Sequence, residues 1–126
     1  MGIIREQAEK FWNGEITVVT QHPLAATGDF EEVAADVVFY RWFANVVAVK
    51  TEEGLVLVDT GAYFNQAETV ALVRRFAPDR INTAIYTHGH VDHACGMAAF
   101  VEEAHQNRVA RPRVVGHRAT AARFDR

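Results

Sequence analysis

Four side chains able to bind a metal fall within the run T-H-G-H-V-D-H-A-C-G: His88, His90, Asp92 and His93. Imidazole nitrogen and carboxylate oxygen are donors that a divalent ion such as zinc takes at about 2.0–2.2 Å. In an extended chain, residues i, i+2 and i+4 point to one side, so His88, His90 and Asp92 can converge, with His93 reaching in from a bend. Gly89 keeps a side chain out of the way between the first two histidines. Imidazoles packed this closely repel one another once protonated, unless a cation sits among them. A metal site is therefore a better reading of the cluster than a solvated polar loop. Cys95 follows closely; a thiolate there could bind or tune metal, but a buried inert thiol is the plainer reading.

The elements that must position these donors are legible from periodicity. Residues 5–13 read as a short helix ended near Gly14. Residues 14–35 are mixed, with a turn at Gly28-Asp29. D-V-V-F-Y-R-W-F (36–43) and N-V-V-A-V-K (45–50) read as strands, and Thr51 to Gly54 as the turn after them. Leu55 to Val58 is apolar throughout, as in a buried central strand. After Asp59-Thr60-Gly61 the period changes: Ala67, Val70, Ala71, Val73 and Ala77 line an amphipathic helix that Pro78 stops. Ile81 to Thr87 is again a strand, and the histidine run follows as a loop. A second helix turns Met97, Phe100, Val101 and Ala104 inward and Glu102, Glu103 and Gln106 outward; Arg113 to Gly116 is a last short strand. The aromatics Phe39, Tyr40, Trp42 and Phe43 read as strand packing before a substrate wall.

The order is β-β-β-α-β-α-β. The strand at 55–58, the following helix and the strand at 81–87 make a βαβ unit with parallel strands and a right-handed crossover. Parallel strands end on one edge, so Asp59 and His88 should meet there although 29 positions separate them. Asp59 could equally cap the helix that follows it.

Composition limits the partners. The 126 residues carry a net charge of −3, with 49% apolar residues, which excludes a disordered tail, a coiled coil and a global basic field for nucleic acid. Charge is uneven: −8 over residues 1–107 and +5 over 108–126, where six arginines accompany Asp125. These arginines read as a solvated face, with a surface awaiting its partner as the sharper alternative. A lone Cys95, no apolar leader, and Asp36, Arg41 and Asn45 interrupting the most apolar stretch lead us to expect a cytoplasmic protein that neither spans nor binds a membrane.

T-H-G-H-V-D-H resembles the H-x-H-x-D-H signature of the metallo-β-lactamase superfamily, and V-D-T-G at 58–61 resembles that family's earlier Asp-containing motif. The resemblance covers the chain from about residue 36. It implies an α/β fold: the first βα half of an αββα sandwich, a mixed sheet with helices, apparently truncated. In domain terms, 1–126 would be a partial domain with its core at 36–126 and a lead-in at 1–35. It also implies that His88 and His90 hold one zinc and Asp92 and His93 a second, manganese or iron being substitutes. A hydroxide between the metals would be the nucleophile, oriented by Asp92 as the catalytic residue. Asp59 would accept a ring N–H from a ligating histidine and fix its tautomer. The implied activity is hydrolysis of a small-molecule ester, thioester, sulfate ester or lactam.

The family's site also takes a later His, a bridging Asp and a final His. Past His93 this chain offers His105, His117, Glu102, Glu103 and Asp125, and His117, ending a strand, is the one that could lie near the site. The expectation is an incomplete, weakly active hydrolase, self-associating or pairing with a missing C-terminal half. Two rivals remain. One is a non-catalytic metal-binding or interaction module, or half of a split enzyme. The other is an aspartic protease of the D-T-G-A type, which would leave the histidine cluster unexplained and lacks a glycine-rich flap.

Overall fold

The computed structural model describes residues 2–22, 25 and 27–125. Helix α1 (Ile3–Trp12) precedes a six-stranded sheet, β1 (Asp29–Ala34), β2 (Val37–Arg41), β3 (Val46–Thr51), β4 (Gly54–Val58), β5 (Ile81–Ile85) and β6 (Arg113–Val115), whose spatial order equals its chain order. The first three pairings are antiparallel and joined by short turns; β4–β5 and β5–β6 are parallel. Parallel neighbours need crossovers, and these are helical. A single 3-10 turn (Tyr63–Asn65) and α2 (Gln66–Phe76) join β4 to β5, while α3 (Val91–Ala94) and α4 (Met97–Gln106) join β5 to β6. Helix α5 (Ala119–Phe124) follows β6.

Alternation along the strands sorts the residues onto two faces. Val38, Ala48, Leu55, Leu57 and Ala84 pack with Val73 and Ala77 from the α2 side and with Met97 and Phe100 of α4. Phe100 and both leucines are fully buried, each contributing about 1.5–3 kcal/mol. On the opposite face Phe39, Val47, Val58 and Ile85 form one cross-strand row, and Val37, Val49 and Val56 the next. These are half-buried, and Ile85 is exposed.

Several expectations need correction. Asp29–Ala34, read as mixed, is the edge strand β1; its residues are half-buried or exposed on both faces, so no alternation marks it. Helix α2 buries Thr69, Leu72 and Val73, leaving Ala67 and Ala71 exposed. The Thr69 hydroxyl donates to Asn65 O at 3.1 Å, which lets a polar residue occupy the core stripe. Glu103 is not outward: it takes a two-pronged bond from Arg74, with Nε–Oε1 at 2.7 Å and Nη2–Oε2 at 2.5 Å, tying α4 to α2. The aromatics of 39–43 divide by alternation. Tyr40 is buried and stacks on Trp42, Phe39 faces the other side, and Phe43 is exposed.

Candidate metal centre

The C-terminal ends of β4 and β5 lie side by side, as the parallel pairing requires, and the two motifs meet there. Asp59 N donates to Ile85 O at 2.8 Å, extending the ladder by one bond. The chain then turns through a left-handed conformation at Asp59, φ 57°, a region that Asp enters more readily than most residues. This aims a side chain that is only 6% exposed across the gap to β5. It accepts three hydrogen bonds: from Thr87 N to Oδ1 at 2.8 Å, from the Thr87 hydroxyl to Oδ2 at 2.7 Å, and from His93 Nδ1 to Oδ2 at 2.7 Å. An ionised carboxylate only accepts, so His93 carries its proton on Nδ1 and presents a lone pair at Nε2. Asp59 does not cap α2, which begins at Gln66 after the 3-10 turn.

Thr60 and Gly61 complete a clasp between the motifs. Thr60 N donates to His93 O at 2.8 Å, the Thr60 hydroxyl to Ala94 O at 3.0 Å, and Gly96 N to Gly61 O at 2.8 Å. A Cβ at Gly96 would land on the Thr60 carbonyl oxygen, so the start of α4 can approach this turn only without a side chain. Cys95 is half-buried, its N–H bonded to Val91 O at 2.9 Å. Tyr86 donates to Ala94 O at 3.3 Å beneath the loop, and burial pushes its hydroxyl above the ordinary tyrosine range.

The four donors are brought together as two pairs. His88 Nε2 and His90 Nδ1 face each other at 2.9 Å. His93 Nε2 lies 3.6 Å from Asp92 Oδ2. Two donors on one tetrahedral zinc at about 2.0–2.1 Å stand about 3.3–3.4 Å apart; the His93–Asp92 separation is near that span, while His88 and His90 stand closer, at hydrogen-bond distance. The rings of His88 and His93 are 4.1 Å apart, centre to centre, which joins the pairs into one cluster. Among the described residues, no three His, Cys, Asp or Glu side chains close on a single point.

The expected convergence of His88, His90 and Asp92 in an extended loop is therefore corrected. The chain bends over Thr87, His88 and Gly89, His90 alone is extended before α3, and from Val91 it is helical, so Asp92 comes to lie beside His93 instead. His117 is not drawn in: it is exposed, and its Nδ1 lies 3.2 Å from Ala119 N at the start of α5. His105 and Asp125 are exposed, Glu102 takes a bond from Gln106, and Glu103 is held by Arg74.

Two contributors were not singled out from sequence. Thr87 stands inside the histidine motif, a hydroxyl directly before the first histidine, which was the available signal. Arg123 of α5 donates from Nε to Gly89 O at 3.0 Å, and nothing local announces a contact 34 residues away. With Phe124, His90, Val91 and Asp92 it lines an open hollow of about 440 Å³.

Known proteins share the fold. The sequence model of the metallo-beta-lactamase superfamily matches residues 39–124. A linear primary-alkylsulfatase of Pseudomonas sp. (strain ATCC 19151) is 41% identical over 56 residues, 44% of this chain and 11% of the relative. Among solved structures, a metallo-beta-lactamase of Cronobacter sakazakii superposes with a TM-score of 0.64 at 18% identity, covering 80% of this chain and 36% of that one. The sec-alkyl sulfatase PisA1, as a double mutant, gives 0.60 at 23% identity, covering 75% and 16%. The chain thus spans a minor part of the proteins it matches, and its mixed sheet with helices is the part of the fold they share with it. Among the described residues, no helix is long and apolar enough to cross a membrane.

Proposed function

The chain belongs to the metallo-β-lactamase superfamily, and on that premise we propose that it is the donor-bearing part of a metal-dependent hydrolase of alkyl sulfate esters. The observation that carries the reading is the gathering of His88, His90, Asp92 and His93 into one cluster, with His93 held by the buried carboxylate of Asp59. His88 and His90 would hold one divalent ion, and Asp92 and His93 a second. Zinc suits these donors best, with manganese or iron as substitutes. When bound, such ions lower the pKa of water and polarise the ester oxygen. Asp92 would orient the attacking water through its carboxylate, and Asp59 would keep the Nε2 lone pair of His93 free by holding the Nδ1 proton.

Sulfate esters are favoured over the other substrates by the 41% identity to an alkylsulfatase. The likeness to a β-lactamase, at 18% identity, speaks for the fold alone. The protease reading finds no support, because the D-T-G turn leads into a helical crossover and its aspartate is engaged by His93. A cytoplasmic setting and a small-molecule substrate are part of the proposal.

Two donors per ion are fewer than an efficient hydrolytic site employs. The apolar rows on the open sheet face suit pairing with a second copy or with the C-terminal half of such a fold. We therefore expect the isolated chain to be a weak hydrolase that self-associates. The test assays it with zinc or manganese against a linear alkyl sulfate, a carboxylic ester, a phosphodiester and a cephalosporin, while its mass in solution is measured. Slow, metal-dependent turnover favouring the alkyl sulfate supports the reading. Preference for cephalosporin would overturn the substrate class, and brisk turnover by a monomer would overturn the argument from donor number.

A further inference from the structure

Resting on the metal-centre reading, we infer that Thr87 is a positioning residue: its hydroxyl carries the hold of Asp59 on to His88, so that one buried carboxylate sets the tautomers of two histidines. Asp59 reaches His93 directly, at 2.7 Å, but the structure gives it no direct bond to His88. Between them stands the Thr87 hydroxyl, 2.7 Å from Asp59 Oδ2 and 3.0 Å from His88 Nδ1. A hydroxyl has one hydrogen and two lone pairs. The carboxylate can only accept, so the hydrogen goes to Asp59 and a lone pair faces His88. Nδ1 of His88 must then carry its own proton, which leaves Nε2 as the lone pair. That is the atom facing His90 Nδ1 at 2.9 Å, on the donor side of the cluster.

The relay is stiff at its root. Thr87 is tied to Asp59 twice, by its N–H at 2.8 Å and by its hydroxyl, and the carboxylate is buried. The side chain is β-branched, which restricts its rotamers. Thr87 and His88 are themselves exposed, so water competes for the His88 proton when the hydroxyl is removed. The ring partner then left to His88 is His90 Nδ1, which can donate or accept, so the His88 proton divides between the two nitrogens and a fraction of Nε2 is blocked. Hydrogen-bond partners behind a metal-binding histidine typically govern metal affinity by about 10–100-fold.

The experiment is nitrogen NMR of the metal-free chain, using long-range proton correlations that distinguish Nδ1–H from Nε2–H on neutral rings. It is applied to the wild type, Thr87→Val and Thr87→Ser, and zinc affinity is measured on each by competition with a chromophoric chelator. The wild type should show His88 and His93 both as Nδ1–H. Thr87→Val keeps the branched shape without the hydroxyl; His88 should become a mixture while His93 is unchanged, and zinc should bind about 10–100-fold more weakly. Thr87→Ser should restore both readings. A wild-type His88 protonated on Nε2 overturns the inference whatever the variants do, and so does a folded Thr87→Val protein with unchanged His88 signals. If Thr87→Val does not fold, the wild type and the serine variant decide: His88 as Nε2–H in either overturns it. Failure of the wild type to bind zinc would instead sink the metal-centre reading, because the tautomer assignment is read from the metal-free spectrum.

Discussion

Exchanging Asp59 for asparagine isolates the acceptor character of this carboxylate from its size. Asparagine tolerates the left-handed φ of 57° as aspartate does, so the turn should persist. The change converts one acceptor oxygen into an NH2 donor. Wild-type Asp59 receives three hydrogens, from Thr87 N at 2.8 Å and from the Thr87 hydroxyl and His93 Nδ1 at 2.7 Å each. If the amide oxygen stays on Thr87 N, the NH2 group faces the other two. It fits only when the hydroxyl turns to accept and His93 moves its proton to Nε2, the atom 3.6 Å from Asp92. Two bonds to a charged acceptor, about 1.5–3 kcal/mol each, become neutral bonds of about 1 kcal/mol. The metal-free variant should therefore lose about 1–4 kcal/mol, read as a lower urea midpoint. A misplaced proton on the metal-facing nitrogen should weaken zinc binding about 10–100-fold, or roughly 1.4–2.7 kcal/mol. Competition against a chromophoric chelator measures this. Wild-type affinity in a folded Asp59→Asn chain would refute the reasoning, and complete loss of metal from a folded Asp59→Ala chain would make Asp59 a direct ligand.

The His88→Ala/His90→Ala double variant should lower the zinc content of chain purified without chelator; unchanged content by elemental analysis would remove these residues from the site. Gly96→Ala places its methyl on the Thr60 carbonyl oxygen, where backbone must shift, and should cost about 2–3 kcal/mol in urea unfolding. An alanine variant as stable as wild type would show that the clasp between the motifs is loose. Burial, with Glu68 adding to it, pushes the Tyr40 hydroxyl up to about 12 from 10.0. The folded chain thus retains a proton that the unfolded chain releases first. The resulting stability is full below about pH 10 and lost as pH rises through about 12. Tyr40→Phe should flatten that part of the alkaline unfolding profile, and an unaltered profile would argue against a buried phenol.

Local pattern carried much of this protein into view. Strands β2 to β5 are rich in β-branched and apolar residues and α4 buries one face, so their types are written in the chain, and the closeness of Asp59 to the histidine run followed from the parallel βαβ connection alone. The donor types were equally legible, because four ligating side chains within so short a run have few other uses. Strand β1 and helix α5 stayed hidden: neither has a fully buried residue, β1 carries charges on both faces, and α5 has no side-chain cap to mark its start. The pairing of the donors was decided only by tertiary structure. Whether Asp92 joins His90 or His93 depends on where the chain passes from extended to helical, at Val91. The short helix that begins there is tied by its His93 and Ala94 carbonyls to Thr60, more than 30 residues earlier. The reach of Asp59 through Thr87 to His88 and the grip of Arg123 on Gly89 are of the same kind. They are hydrogen bonds between segments distant in sequence, whose energies depend on angles and tenths of an ångström that residue spacing does not encode.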